Sequence, residues 1–256
     1  MTTEKIILLG GVKPFTKFTY NYLIREFDID TVILEEPVSK YLLLKGRLKR
    51  LGWSEVLGQV LFQAMVVPFL GILSQRRLEE IKRHSELDDA VIPEEKIIRV
   101  ASLNSPRMME ILQKENPTCV IVAGTRIISE KILNCITGKF INIHTGIAHR
   151  YRGVHGAYWA LIEGRPQWAG VTVHLVDSGI DTGQILAQGA ITITPEDNFV
   201  TYPLLQLAVG LRLLKEILEH QDQAMVRLAI PSEGSKIWYH PTLWAYLWNR
   251  MVRGVR

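Results

Sequence analysis

Residues 5–34 read KIILLGGVKPFTKFTYNYLIREFDIDTVIL, and this stretch decides the fold class. The apolar run 5–9 ends at two glycines, the pattern of a buried first strand, and 31–34 is a second run rich in β-branched residues. Between them, aromatic and apolar residues recur over 15–27 with the spacing of a helix. A strand, a helix and a second strand in this order are typical of an open parallel sheet, so the sequence predicts an α/β fold.

The rest of the chain continues this alternation. Residues 38–88 read as helices, the first basic and the second strongly apolar, and Ser105 is the expected cap of a later helix with Pro106 in its first turn. Further strands are predicted at 97–100, 118–123, 140–144, 170–176 and 184–193, and further helices at 108–115, 129–135, 154–163 and 199–219. We therefore expect a Rossmann-like, open and mainly parallel twisted sheet flanked by helices, with a helical insertion and a C-terminal helical, aromatic tail.

The composition excludes several classes of protein. Of the 256 residues, 47% are apolar and 22% are charged, which is ample for a folded core and excludes a disordered or collagen-like chain. The two cysteines, Cys119 and Cys135, are too few for a disulfide scaffold or a cysteine-rich zinc module. The net charge of +4 resides in the acid-free segment 236–256, and a second acid-free segment, 38–54, is also basic. The protein therefore has two basic patches and is otherwise balanced in charge.

The apolar stretch Val60–Leu73 bears on the location of the protein. It is interrupted by Gln63, Pro68 and Gly71, and it is shorter than the roughly 20 residues that cross a bilayer. One interpretation is a buried helix pair; the other is a segment lying in the plane of a membrane, because basic residues flank it on both sides. With no secretory signal visible at the N-terminus, we expect a cytoplasmic enzyme, and membrane association stays open.

The predicted strand 140–144 carries the first candidate catalytic residues. Its alternation places Asn142 and His144 on one face, and ligands in open α/β sheets bind outside the carboxyl ends of the strands. An amide N–H suits a carbonyl oxygen that gains negative charge, and an imidazole can move a proton near neutral pH. The alternative is a polar strand end that faces water.

The loop 177–183, Asp-Ser-Gly-Ile-Asp-Thr-Gly, supplies a third candidate group. Its glycines allow a tight turn that approaches a ligand, and a carboxylate such as Asp181 can orient an imidazolium or receive a proton. The alternative is an Asx-turn aspartate that only shapes the loop. Physical reasoning on the sequence alone does not rank Asp177 against Asp181.

Several separately spaced motifs occur in one order and together resemble the formyltransferase family. They are Asn-Ile-His at 142–144, Tyr-Arg-Gly at 151–153, Trp-Ala-Leu-Ile-Glu-Gly at 159–164, Gly-Val-Thr-Val-His at 170–174 and Ile-Asp-Thr-Gly at 180–183. That family uses 10-formyltetrahydrofolate and includes glycinamide ribonucleotide, methionyl-tRNA and amino-sugar formyltransferases. The resemblance implies a catalytic domain over 1–195, in which 36–96 is a helical, poorly matched insertion, and a C-terminal helix with a Trp/Arg-rich tail over 196–256.

The resemblance also implies roles for residues. Asn142, His144 and Asp181 match the family's catalytic trio, which ranks Asp181 above Asp177. The residues expected to hold the folate are Gly124, Thr125, Arg126, Ile127, Ile128, Ser178, Gly179 and Ile180, with Arg126 near the anionic tail. The candidate acceptor-binding residues are Gly10, Gly11, Tyr151, Arg152, Tyr158 and Trp159, and packing in a helix is the alternative for the aromatic ones. No metal is expected, because His144, His149, His155 and His174 lack a ligand spacing and read as solvated loop histidines.

Two further expectations concern the loop after the catalytic strand and the acceptor. The family commonly has Pro-Ser-Leu-Leu-Pro where this chain has Thr-Gly-Ile-Ala-His at 145–149, so the acceptor pocket has a shape of its own. Only residues 222–256 follow the last long helix, too few for the tRNA-binding barrel of methionyl-tRNA enzymes, so a nucleic-acid acceptor is not expected. A small-molecule amine, an amino sugar linked to a nucleotide or a lipid in glycan biosynthesis, is the expected acceptor.

Alternatives remain for the activity and the tail. For the activity, the alternatives are a glycinamide ribonucleotide or methionyl-tRNA formyltransferase, a formyltetrahydrofolate hydrolase, and a non-catalytic subunit that binds folate or a glycan precursor. Tryptophans interleaved with arginines in the tail are typical of a membrane interface or a protein interface. Peripheral membrane contact through 38–73 and 237–256 and formation of a homodimer are therefore both open.

Overall fold

A computed structural model describes residues 5–220 and 235–256, so part of the predicted segment 196–256 lies outside the described residues. The strands are β1 (Ile6–Gly11), β2 (Ile29–Glu35), β3 (Ile97–Val100), β4 (Cys119–Ala123), β5 (Lys139–His144), β6 (Tyr151–Gly153), β7 (Gly170–Leu175), β8 (Ile185–Ala190) and β9 (Lys236–Trp238). The α-helices are α1 (Pro14–Leu23), α2 (Lys40–Leu51), α3 (Trp53–Leu61), α4 (Val67–Leu73), α5 (Gln75–His84), α6 (Pro106–Glu115), α7 (Glu130–Leu133), α8 (Gly156–Ile162), α9 (Tyr202–Glu219) and α10 (Leu243–Arg253).

The main sheet has seven strands in the order β3-β2-β1-β4-β5-β7-β8. The first five run parallel, and β7 and β8 complete the sheet in antiparallel register. The predicted open, mainly parallel sheet is therefore confirmed. Its central strands, such as β1 and β4, are almost continuously apolar because helices cover both faces.

Helix α9 holds β5 and β7 in place from one face of the sheet. Its apolar stripe packs in the same core as Ile143 of β5 and Val171 of β7. The approach is close enough that a Cβ added at Gly210 would lie 2.5 Å from Cγ2 of Ile143. Because Asn142 and His144 flank Ile143, this packing fixes the strand end that carries them.

The predicted insertion is helical, and its apolar helix is longer than the sequence pattern indicated. Helix α3 continues through the π-helical turn Phe62–Val66 into α4, so Trp53–Leu73 is one helix of 21 residues, and its most apolar 18 residues have a mean hydropathy of 2.0. By length and composition alone it could cross a membrane, which corrects the expectation that the segment is too short. Pro68 lies inside this continuous helix, directly after the π-helical turn and Val67, and it supplies no N–H to the helical hydrogen bonds there.

A third core joins the insertion, the loop after β5 and the tail. Phe62 is fully buried with its ring centroid 4.8 Å from that of Phe199 and 5.0 Å from that of Tyr246 in α10. Two strands of three residues, β6 and β9, also pair there in a separate parallel ladder. The sequence pattern did not predict either strand, since three residues are too few to show alternation.

Candidate active site

Asn142 has its side-chain amide oriented by a histidine on the neighbouring strand. Asn142 of β5 lies opposite His174 of β7, and Nδ2 of Asn142 is 3.1 Å from Nε2 of His174. Nδ1 of His174 is 2.7 Å from the carbonyl oxygen of Leu175, which can only accept, so Nδ1 donates there and Nε2 accepts from Asn142. One N–H of Asn142 is thereby fixed, and the second is available to a ligand.

His174 is suited to this acceptor role because it is kept neutral. Burial lowers the pKa of His174, the charge of His144 lowers it further, and the carbonyl of Leu175 and nearby Asp181 only partly oppose these effects. The sequence interpretation of His174 as a solvated loop residue is wrong, since the residue is 3% exposed within β7. Its role could not be found from sequence because it depends on the register between β5 and β7.

His144 and Asp181 form a close pair of ionisable side chains at the end of β5. Nε2 of His144 is 2.7 Å from the carbonyl oxygen of Tyr151, to which it can only donate, and Nδ1 is 3.3 Å from Oδ1 of Asp181. Because Nε2 already carries one proton, an attractive contact with the carboxyl group needs a second proton, on Nδ1 or on Asp181. The two side chains therefore meet at the end of β5, where a carboxylate can orient the imidazole ring.

The two aspartates of the 177–183 loop have different roles. Asp177 accepts from the backbone N–H of Gly179 and from the hydroxyl of Thr182, so it shapes the loop as an Asx-turn aspartate does. Asp181 instead reaches across to the strand ends, 3.3 Å from His144, and accepts at 2.9 Å from the backbone N–H of Gly153 in β6. The geometry thus ranks the two residues as the family resemblance did.

The 145–149 loop is held by a buried polar network that the sequence did not indicate. The hydroxyl of Thr172 donates to the carbonyl of Gly146 at 2.8 Å and accepts from the N–H of Ala148 at 3.0 Å. Gln188 of β8 donates to the carbonyl of Ala148 at 2.6 Å and to Thr172 at 3.1 Å. A Cβ added at Gly146 would lie 2.5 Å from Nε2 of His144, so this glycine is needed where the loop crosses the imidazole of His144.

The segment 124–128, predicted to hold the folate, leaves β4 beside the end of β1. Gly124 has a φ of 68° and stands close to Gly11, and Ile127 is an exposed apolar residue. Arg126 is not free for an anionic ligand, because Nε and a terminal nitrogen donate to the buried carboxylate of Glu35. That carboxylate also accepts from the backbone N–H of Leu103 at 2.9 Å. Arg126 is therefore an exposed loop residue that is ion-paired with Glu35.

The other predicted folate-binding residues follow two patterns. Thr125 is half-buried and Ile128 is buried in the core that includes α6. Ser178 and Gly179 are exposed on the 177–183 loop, and the carbonyl of Ile180 is 3.5 Å from a guanidinium nitrogen of Arg152. The structure thus brings the loop 178–180 to the same region as Arg152, one of the candidate acceptor-binding residues.

The aromatic acceptor candidates are mostly core residues. Tyr151 and Tyr158 are 0% and 1% exposed and pack in the third core, and the hydroxyl of Tyr151 donates to Glu163 at 2.6 Å. Their placement is that of packing residues, the alternative that the sequence left open. Trp159 is half-buried and stacks on Trp238 of β9, with ring centroids 4.6 Å apart.

The remaining site candidates lie at the end of β1 and in the loops beside it. Gly10 and Gly11 end β1, and the hydroxyl of Thr16 donates to the carbonyl of Gly11 at 2.8 Å.

His155 is not solvated either, since its Nε2 lies 2.9 Å from Nδ1 of His240, and burial lowers the pKa of His155 to about 3. Within residues 5–220 and 235–256, no group of three or more His, Cys, Asp or Glu residues could hold a metal ion.

Comparison with known proteins identifies the relatives of the chain. The sequence profile of the formyl transferase family matches residues 74–204. A methionyl-tRNA formyltransferase of Pelotomaculum thermopropionicum is 35% identical over 125 residues, which is 48% of this chain and 39% of that protein. The chain thus matches well under half the length of this curated relative.

Solved structures share the fold over most of the chain. A phosphoribosylglycinamide formyltransferase from Streptococcus pneumoniae superimposes with a TM-score of 0.52 at 20% identity, covering 86% of this chain and 99% of that one. A sugar N-formyltransferase from Shewanella superimposes with a TM-score of 0.54 at 16% identity, covering 91% of this chain and 76% of that one. At these identities the likeness shows the fold.

Proposed function

Because the chain belongs to the formyl transferase family, whose profile covers the catalytic strand and its neighbouring loops, we propose that it transfers a formyl group from 10-formyltetrahydrofolate to an amine acceptor. The observation that carries this proposal is the convergence of Asn142, His144 and Asp181 at the end of β5. Two independent contacts define it, Asn142 with His174 at 3.1 Å and His144 with Asp181 at 3.3 Å.

Asn142 acts as the donor to the formyl oxygen. As an amine attacks the formyl carbon, negative charge develops on that oxygen, and a preorganised uncharged N–H stabilises it without reorganisation. The amide is preorganised because one N–H is already bound to neutral His174. Removing a single oxyanion donor of this kind typically costs about 10²–10³ in kcat.

His144 and Asp181 handle the protons of the reaction. The attacking amine must lose a proton, and the nitrogen of the folate that leaves must gain one. A pair that holds one proton between an imidazole and a carboxylate can donate to the leaving nitrogen and accept from the amine. The N–H of Gly153 on Oδ2 of Asp181 keeps the carboxylate turned toward His144.

The segment 124–128 fits a folate-type donor through its backbone and not through Arg126. The backbone at Gly124 faces open space, and exposed Ile127 offers an apolar contact to a flat ring. The charge of Arg126 is already compensated by Glu35, so another cation must meet the anionic tail of the folate. Arg126 is therefore not the proposed contact for that tail.

An amino sugar is the proposed acceptor. Aromatic faces stack on sugar rings, and the half-buried pair of Trp159 in α8 and Trp238 in β9 lies beside β6, whose Gly153 donates to Asp181. The ammonium of Lys236 lies 4.0 Å from the ring centroid of Trp238, and the guanidinium of Arg152 lies beside Ile180. These cations suit the phosphate groups of a nucleotide-linked or lipid-linked sugar.

A second candidate acceptor is an aminoacyl-tRNA. The specific observation in its favour is that the sequence relative with 35% identity is a methionyl-tRNA formyltransferase. The amino-sugar and tRNA proposals share every catalytic step and differ only in the acceptor.

One experiment separates the candidate functions. The full chain is given 10-formyltetrahydrofolate with nucleotide-linked amino sugars, lipid-phosphate-linked amino sugars, glycinamide ribonucleotide, methionyl-tRNA or no acceptor. Release of tetrahydrofolate is followed together with the mass of the acceptor. Release that requires an amino sugar and adds a formyl group to it supports the proposal. Release without any acceptor indicates a hydrolase, transfer to tRNA establishes the second candidate, and folate binding without release indicates a binding subunit.

A further inference from the structure

Three helices present an apolar surface that no other part of the described chain covers. Most of the large apolar side chains that are exposed in residues 5–220 and 235–256 lie on α2, on the helix Trp53–Leu73 and on α10. They include Trp53 and Ile72, each 73% exposed, and Met251, 74% exposed. Contiguous exposure of this kind marks an interaction surface.

Helix α2 contributes both apolar and basic side chains. Residues 41–50 are exposed except for half-buried Arg47, although Tyr41, Leu42 and Leu43 would normally be buried. Lys45, Lys49 and Arg50 lie on the same helix, and no acid occurs between residues 38 and 54. A short cationic helix rich in leucine is typical of a helix that lies at a membrane interface.

The exposed faces of α10 and of the helix Trp53–Leu73 adjoin each other. A Cβ added at Gly58 would lie 2.4 Å from the ring of Trp244, so the two helices touch where the exposed stripe of α10 begins. That stripe continues through Trp248 and Met251 at helical spacing. On the other helix, Leu57, Val60, Met65, Phe69 and Ile72 form the matching exposed stripe.

The opposite face of the helix Trp53–Leu73 is anchored in the protein. Val56, Phe62 and Leu70 are buried, and the ring of Phe62 contacts Phe199 and Tyr246. A helix with one face in the core of the domain cannot cross a bilayer while that packing lasts, but its free face can lie on one. The geometry therefore favours an in-plane arrangement over a membrane span.

The charges around this surface are complementary to anionic lipid. Between residues 38 and 78 the sole acid is Glu55, and residues 236–256 contain none. In the tail, Arg253 donates to the carbonyl of Ile162 and Arg256 donates to that of Pro195. Because these carbonyl oxygens carry no net charge, the two contacts do not compensate the positive charge of the arginines. Tryptophan, which is exposed at both Trp53 and Trp248, is enriched where proteins meet lipid headgroups.

We propose that α2, the exposed face of the helix Trp53–Leu73 and α10 form one docking surface that seats the protein on an anionic lipid bilayer. The apolar side chains enter the headgroup and acyl boundary, and the lysines and arginines contact the anionic headgroups. The helices lie in the plane of the bilayer, and the sheet stays in water.

The docking surface lies next to the catalytic loops. His240 lies between β9 and α10 of the docking surface. His240 contacts His155, and His155 follows β6, whose Gly153 bonds to Asp181. The contacts from α10 through His240, His155 and β6 therefore connect the docking surface to Asp181 of the candidate active site.

Vesicle sedimentation of the full chain tests the docking surface. We expect strong binding to vesicles of equal parts phosphatidylcholine and phosphatidylglycerol and much weaker binding to phosphatidylcholine alone. Raising the salt to about 1 M shortens the Debye length to about 3 Å and should release the protein. Alkaline carbonate should also extract it, because an in-plane helix does not span the membrane.

Two pairs of variants locate the surface. Neutralising Lys45, Lys49 and Arg50 with glutamine should lower the partition coefficient about a hundredfold, since each such cation contributes about fivefold near an anionic surface. The matched control neutralises Arg107, Lys114 and Lys131 on α6 and α7 and should bind as the parent does. For the apolar face, I72E should abolish binding, while V91E, a substitution at a residue that is 79% exposed, should not.

Circular dichroism and the thermal midpoint confirm that each variant folds. Equal binding to both kinds of vesicle, or unchanged binding by the triple glutamine variant, would overturn the proposal. Binding that resists both salt and carbonate would indicate a spanning helix and would also overturn it. The proposal would also be overturned if the protein bound no vesicle and formed a dimer in analytical ultracentrifugation that I72E dissociates. A second copy of the chain would then cover this face.

Discussion

Replacing His174 should weaken catalysis without removing any group that touches the substrate. In H174L the amide of Asn142 loses the acceptor 3.1 Å away that orients it. A neutral hydrogen bond contributes a net of about 0.5–1.5 kcal/mol, and about 1.4 kcal/mol is a tenfold change in rate. We therefore expect kcat to fall about tenfold, with KM for the folate little changed. This loss is smaller than that expected on removing the donor itself.

A second variant and the pH profile separate this positioning role from a general structural one. H174Q keeps a side-chain oxygen that can accept from Asn142 and should recover most of kcat. Since burial and nearby His144 lower the pKa of His174 below its ordinary value of 6.5, the parent should lose activity only as the pH falls below that value and Nε2 is protonated. H174Q should lack this acid limb. The assay measures tetrahydrofolate release with the acceptor that the experiment described above identifies. The control is H84L, a substitution at an exposed histidine. Equal kcat in H174L and the parent, or an unchanged acid limb in H174Q, would refute the reasoning.

Two other substitutions probe the loop and the stability of the fold. G146A would place a methyl group against Nε2 of His144, so we expect kcat to fall at least tenfold. The control G71A, at a site with open space around it, should keep the parent's kcat. Equal kcat values for G146A and the parent would contradict the loop geometry. R77M should lower the free energy of unfolding by about 3 kcal/mol in urea, because it leaves the fully buried carboxylate of Asp197 without its partner. Burial alone would raise the pKa of Asp197, but the hydrogen bonds from Arg77 and Thr194 outweigh burial and lower the pKa from 3.8. The contribution of the ion pair to the free energy of unfolding is therefore present above pH 3.8 and is lost as the pH falls through the lowered pKa. An R77M protein as stable as the parent at neutral pH would argue against the pair.

The sequence predicted the sheet, and it placed two of the candidate site residues on one face of a strand, because both depend on local pattern. Buried parallel strands such as β1 and β4 appear as short apolar runs, and strand alternation is enough to place Asn142 and His144 on one face. Asp181 was ranked by resemblance alone, and its contact with His144 at 3.3 Å now supplies the physical reason.

What the sequence could not predict depends on contacts between distant segments. The role of His174 requires the register of β5 against β7, and the network of Thr172 and Gln188 requires the position of β8 as well. The ion pair of Arg126 with Glu35 joins residues 91 positions apart, so the local sequence suggested an unpaired cation. For Tyr151 the sequence left acceptor binding and packing open, because its burial depends on a core built in part from the tail.

Substitution of Asn142 tests the central claim most directly. Formyl transfer to the identified acceptor is measured for the parent, for N142A and for N134A, an identical change at an exposed residue outside the site. If Asn142 donates to the developing oxyanion, N142A should lose about 10²–10³ in kcat while its thermal midpoint stays near that of the parent. N134A should transfer the formyl group at the parent's rate. A folded N142A protein with full activity would contradict the account.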